Sequence, residues 1–161
     1  MKKFIFLDID GVLNHQLFYQ EKTQSERFKE VGLPYCDLDP KKIELLNSLI
    51  ELTGAQVVIS STWRMRRTVE ELQSILEWGG FVGTVIAKTP NLSYSKSWDS
   101  VPRGAEIQVW LDNTVKEDYR YVIFDDDSDM LLSQRESFFH VDGYCGLTPN
   151  IIYKASRYLN K

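Results

Sequence analysis

Short apolar runs recur along the chain at 4–7, 56–59, 81–86, 121–124 and 137–141, and each is bounded by turn-forming or charged residues. Runs of this length predict buried strands. Between them the apolar spacing changes to that of helices. Asp39-Pro40 supplies a cap and a first-turn proline, followed by Ile43, Leu46, Leu49 and Ile50 up to Thr53-Gly54. Thr68 and Glu71 form a capping-box pattern ahead of Leu72, Ile75 and Leu76, and Gly79-Gly80 closes that helix. A third helix is predicted from Arg103-Gly104 through Ile107, Trp110 and Leu111, and a last one after Thr148-Pro149 through Ile151, Ile152, Ala155 and Leu159. The polar stretch 15–37, with Leu17, Phe18, Tyr19 and Phe28 scattered in it, reads as a flap or a short hairpin and helix. Residues 87–102 read as a loop rich in Ser, Lys and aromatics.

Strands alternating with helices imply βαβ units. The predicted fold class is therefore α/β: three-layer and Rossmann-like, a mostly parallel five-stranded sheet with helices on both faces and a minimal cap at 15–37. A length of 161 residues fits one domain over 1–161 with one core, and the sequence shows no repeat or low-complexity linker.

Composition narrows the function classes. Apolar and charged fractions of 43% and 26% are ordinary for a globular chain. Nineteen basic against twenty-three acidic side chains, net −4, exclude the footprint of a non-specific nucleic-acid binder, so an anionic substrate must be attracted locally. Cys36 and Cys145 lack metal-ligand spacing and read as free thiols, which predicts a reducing, cytoplasmic location. The first apolar run is interrupted by Asp8 and Asp10 too early for a signal peptide, and no segment has the length of a membrane span.

In parallel α/β sheets the chemistry gathers at the carboxyl ends of the strands. The first run ends there in Asp8-Ile9-Asp10-Gly11. Gly11 lets the chain turn at once, so both carboxylates can address one pocket. Carboxylates held that close repel, and a divalent cation relieves the repulsion. One carboxylate can then attack phosphorus while the other exchanges a proton with the leaving oxygen. The second run ends in Ser60-Ser61-Thr62-Trp63-Arg64, and the fourth in Asp125-Asp126-Asp127-Ser128-Asp129. A buried strand ending directly in acidic residues also calls for a cation. Arg64, Arg66 and Arg67 make the one notable basic cluster, and Arg64's planar fork suits a substrate phosphate. His15 and His140 attract no role from spacing.

The order Asp8-x-Asp10, Ser60/Ser61, a basic residue ahead of a helix, and Asp125/Asp126 resembles the four motifs of the haloacid dehalogenase (HAD) superfamily of phosphohydrolases, over nearly the whole chain. The run Ser60–Arg64, Arg103-Gly104-x-Glu106-Ile107, the acidic cluster and Gly146-Leu147-Thr148 further resemble small phosphatase domains found alone or attached to nucleic-acid end-repair proteins. The resemblance implies that Asp8 is the nucleophile forming an aspartyl-phosphate. It implies that Asp10 is the acid and base, and that Mg2+ is bound by Asp8, the Asp10 backbone carbonyl and Asp126, with Asp125 sharing or orienting that shell. Ser61 would hydrogen-bond the transferring phosphoryl group, with Ser60 as its rival and Thr62 and Arg64 as further phosphate contacts. Arg103 would be the charge-balancing cation, with Lys88 and Lys96 as rivals, and Asp129 would stand behind the metal ligands or start a helical turn.

A short insert implies an open pocket, and an open pocket admits a phosphate at the end of a large molecule. The expected activity is a Mg2+-dependent phosphomonoester phosphatase acting on a nucleic-acid end or a nucleotide, with Tyr94 and Trp98 available to stack a base. The phosphorylated substrate is the one partner expected; no obligate protein partner is evident, and a small metabolite or phosphoprotein is the alternative substrate. Two readings of another class are an inactive HAD-fold binding module and a phospho-Asp receiver domain, although a receiver's aspartate follows a middle strand, not the first.

Overall fold

Backbone pairing along β1 (Lys2–Leu7) organises the molecule. On one side it pairs in parallel with β2 (Gln56–Ile59), on the other with β4 (Tyr119–Asp125). The short strands β3 (Val85–Lys88) and β5 (Phe138–His140) complete a five-stranded, all-parallel sheet in the order β3-β2-β1-β4-β5. The computed structural model describes residues 1–31, 37–93 and 101–161. The third strand starts later than its apolar pattern predicts. Residues 79–81 are held by the end of the preceding helix, the Phe81 N–H donating to the Leu76 carbonyl at 3.1 Å, so the chain reaches the sheet edge only at Val85.

Side-chain alternation divides the core. Ile5, Leu7, Val57, Ile59, Val122 and Phe124 meet the helices α3 (Pro40–Thr53), α4 (Val69–Trp78) and α6 (Pro149–Leu159). Phe4, Phe6, Val58 and Ile123 point the other way, onto Ile107, Trp110 and Leu111 of α5 (Arg103–Thr114). Trp110 packs edge-on against both Phe4 and Phe6, with ring centroids 5.3 and 5.5 Å apart. The caps read from sequence are formed: Asp39 and Pro40 start α3, Gly54 ends it in the left-handed conformation, and Thr68 with Glu71 makes the capping box of α4.

Within 15–37 the described residues form two short helices, α1 (Gln16–Glu21) and α2 (Gln24–Val31), and no hairpin. His15 caps α1 and is itself tied to Asp39 (Nε2 to Oδ2, 2.8 Å), which joins α1 to the start of α3.

From β1 the chain winds outward through β2 to β3, then returns across the other face through α5 to β4. The winding direction reverses at β1 and β4, and the crevice beyond their carboxyl ends is where such folds bind ligands.

Candidate active site

The alternation that sorts the core also sorts the site. Asp8 and Ser60 continue the ladder one residue past β1 and β2, their N–H groups donating to Phe124 and Leu7 carbonyls at 2.9 Å. Together with Asp125 they fall in the rows of Phe6, Val58 and Ile123, on the face covered by α5. Arg103, the first residue of α5, therefore overhangs them. Its Nη1 lies 3.5 Å from Asp8 Oδ1 and 3.8 Å from Asp125 Oδ2.

α5 has no side-chain cap of its own, since Pro102 occupies that position. Asp129 caps the helix from outside. Its carboxylate accepts from the Arg103 N–H at 2.8 Å and its carbonyl from the Gly104 N–H at 3.2 Å. The acidic cluster after β4 thus does two things, presenting carboxylates at the strand end and fixing the helix that carries Arg103.

Asp8, Asp125 and Asp126 bring one carboxylate oxygen each within 4.8 Å of one another. Asp8 and Asp125 are buried, and Asp126 is exposed. Burial pushes Asp8 above the ordinary carboxylate range, against the opposing pull of the Ser61 hydroxyl and Arg103. Burial, then the charge of Asp8, push Asp125 up to about 7. Backbone packs closely around Asp126: a Cβ on Gly11, which has φ of 74°, would stand 2.2 Å from Asp126 Oδ2, and one on Gly143 2.6 Å from it. His140 holds the Asp126 carbonyl at 3.0 Å through Nε2.

Three converging carboxylates faced by one guanidinium leave negative charge in excess. Asp125 Oδ2, Arg103 Nη1 and Ser60 Oγ are buried with no hydrogen-bond partner. Groups left so cost stability unless a ligand completes them. An all-oxygen donor set with a buried orphan carboxylate oxygen fits a hard divalent cation such as Mg2+, and the orphan guanidinium and hydroxyl fit an anion.

Asp10 is exposed, and its carboxylate stands outside the metal-ligand group. Trp63 Nε1 donates to Oδ2 at 2.9 Å and Asn14 Nδ2 to Oδ1 at 2.8 Å, while the Asn14 amide oxygen accepts from the Gly11 N–H at 3.0 Å. Sequence reasoning assigned neither Trp63 nor Asn14 a role, although both stand inside the runs that carry the motifs. Ser61 caps the 3-10 turn Thr62–Arg64, accepting from the Trp63 N–H at 3.3 Å, and its hydroxyl pulls the Asp8 carboxyl down against burial, whereas Ser60 lies on the sheet face covered by α5. Thr62 is exposed at the start of that turn.

Arg64 is the correction. Its side chain is buried, its fork engaged by Glu106 Oε2 and by the carbonyls of Ser60, Ser61 and Pro90, so it is not offered to a substrate phosphate as expected. Lys88, a rival to Arg103, instead donates to the Arg64 and Arg67 carbonyls at 3.1 and 2.5 Å. Lys96, Tyr94, Trp98 and Cys36 lie outside the described residues. Cys145 is a free thiol, and among the described residues no helix is long and apolar enough to cross a membrane.

A family model described as the HAD domain in Swiss Army Knife RNA repair proteins matches residues 4–151. No curated protein and no solved structure matches the chain.

Proposed function

Because the chain belongs to the family of HAD domains found in Swiss Army Knife RNA repair proteins, we propose that it is a Mg2+-dependent phosphomonoesterase that works through an aspartyl-phosphate. One observation carries the reading: Asp8 is held between a cation, Arg103 at 3.5 Å, and two further carboxylates within 4.8 Å, with the carboxylate of Asp10 on the adjoining loop.

Asp8, Asp125, Asp126 and the backbone carbonyl of Asp10 would hold the metal, which when bound neutralises the carboxylates and the phosphoryl charge. An Asp8 oxygen attacks phosphorus, and the bond to the leaving oxygen breaks. Asp10, oriented by Trp63 and Asn14, gives its proton to that oxygen. In the second half it takes a proton from the attacking water, the acyl-phosphate P–O bond breaks, and inorganic phosphate leaves with Asp8 restored. Arg103, Ser61 and the orphan Ser60 hydroxyl would stabilise charge on the phosphoryl oxygens, a role supported by the Arg103–Asp8 distance and the unpartnered Ser60 Oγ.

The favoured leaving group is a nucleic-acid end or nucleotide. Support comes from the family's association with RNA repair and from the neighbourhood of Asp10: Arg67 lies over the Trp63 ring at 5.3 Å, and exposed Arg66 stands beside it. An aromatic plane backed by cations suits a base and its phosphates. The test is hydrolysis of p-nitrophenyl phosphate, mononucleotides and oligonucleotides with 3′- or 5′-phosphate, compared by kcat/KM. Turnover with Mg2+ is expected, lost in Asp8→Asn and Asp10→Asn; no turnover of any of these substrates with Mg2+ would sink the reading.

A further inference from the structure

The Arg64–Glu106 ion pair has no place in the chemistry above, yet it is among the most buried charged pairs of the chain, with side chains 7% and 4% exposed. A buried pair is a poor source of stability, because apolar residues of similar volume commonly serve as well or better. Its placement gives it another role. Arg64 Nη1 donates to the Ser60 and Ser61 carbonyls at 3.2 and 2.8 Å, and Nη2 donates to Glu106 and to the Pro90 carbonyl. Glu106 uses its other oxygen to accept from the Leu92 N–H at 3.0 Å. It sits one helical turn after Arg103 on α5.

In a trans peptide the N–H points opposite to the C=O. With the Ser60 and Ser61 carbonyls drawn to Arg64, the N–H groups of Ser61 and Thr62 face the other way. Among the described residues neither has a protein acceptor. Successive free N–H groups next to the Ser61 hydroxyl make an anion-binding concavity.

We propose that Arg64 and Glu106 are positioning residues. The pair aims the Ser61 and Thr62 N–H groups at the phosphoryl oxygens and locks that turn, at a fixed distance, to the helix carrying Arg103. Both groups that flank Asp8 are thereby set by one buried strut. The inference rests on the phosphatase reading and adds to it a pair that touches neither substrate nor metal.

The experiment compares the wild type with Arg64→Met/Glu106→Leu, using p-nitrophenyl phosphate, thermal denaturation and Mg2+ titration of the rate. Either single change leaves a buried charge unpaired and is expected to unfold the chain, whereas the double change removes both. The double variant is expected to melt at or above the wild-type temperature and keep the Mg2+ half-saturation, while kcat falls about 100-fold. A purely structural pair would return kcat along with the fold, so a folded double variant within about threefold of wild-type kcat overturns the proposal. Should the double variant not fold, Arg64→Lys keeps the charge with one ammonium in place of the fork. It is expected to lose about tenfold in kcat, and an unchanged kcat overturns the proposal equally. A wild type with no turnover overturns both this and the phosphatase reading.

Discussion

Asp125 joins burial to a neighbouring negative charge, and its carboxyl is driven up to about 7. In the unfolded chain it titrates near 3.8. Between those values the folded state binds more protons than the unfolded state, so the contribution of this group is fully present below the lower value and is lost as pH rises through the upper one. The metal-free protein should therefore melt at progressively lower temperature from about pH 4 to about pH 7. In Asp125→Asn that part of the slope should vanish. Chelator-treated samples followed by circular dichroism check this, and Mg2+ added at pH 8 should raise the wild-type Tm while leaving Asp125→Asn nearly unmoved. The acidic run following the fourth strand was legible as a candidate cation site from its composition. The raised proton affinity of Asp125 was not, because it depends on Asp8 arriving from another strand.

At the scale of elements, α5 decides where the cation stands, and its N-terminus is fixed from outside by Asp129. Removing an N-cap carboxylate costs about 1 kcal/mol. Asp129→Ala should lower stability by that order in denaturant titration and raise KM for a phosphomonoester, since Arg103 loses the anchor of its own backbone. A normal KM with lowered stability would confine Asp129 to capping. The helix itself was readable from Ile107, Trp110 and Leu111. Its cap was not, because the partner lies 26 residues downstream. The edge strand β3 was misread for a related reason: the run from Phe81 is apolar because Phe81 packs under the sheet-covering helices, not because it pairs.

For the whole molecule, the two faces of the sheet carry unequal responsibility. α3, α4 and α6 share one core cluster, while the other is built on α5, which bears Arg103 and Glu106. Trp110→Ala should cost about 3–5 kcal/mol and also lower kcat in the molecules that remain folded. Leu46→Ala on the opposite face should cost about 2–5 kcal/mol with kcat per folded molecule unchanged. Denaturation curves and active-site-normalised rates separate the two effects. The alternation of strands and helices, hence the parallel sheet, and the residue types at its carboxyl edge were legible in the sequence alone, because periodicity and caps are local properties of the chain. Only the folded arrangement shows that Ser60 shares Asp8's face of the sheet under α5, that Trp63 and Asn14 hold Asp10, and that Arg64 is drawn inward to Glu106. Those outcomes depend on strand parity, on the overhang of α5 and on partners far apart in sequence, and a buried guanidinium goes to the carboxylate that packing brings to it.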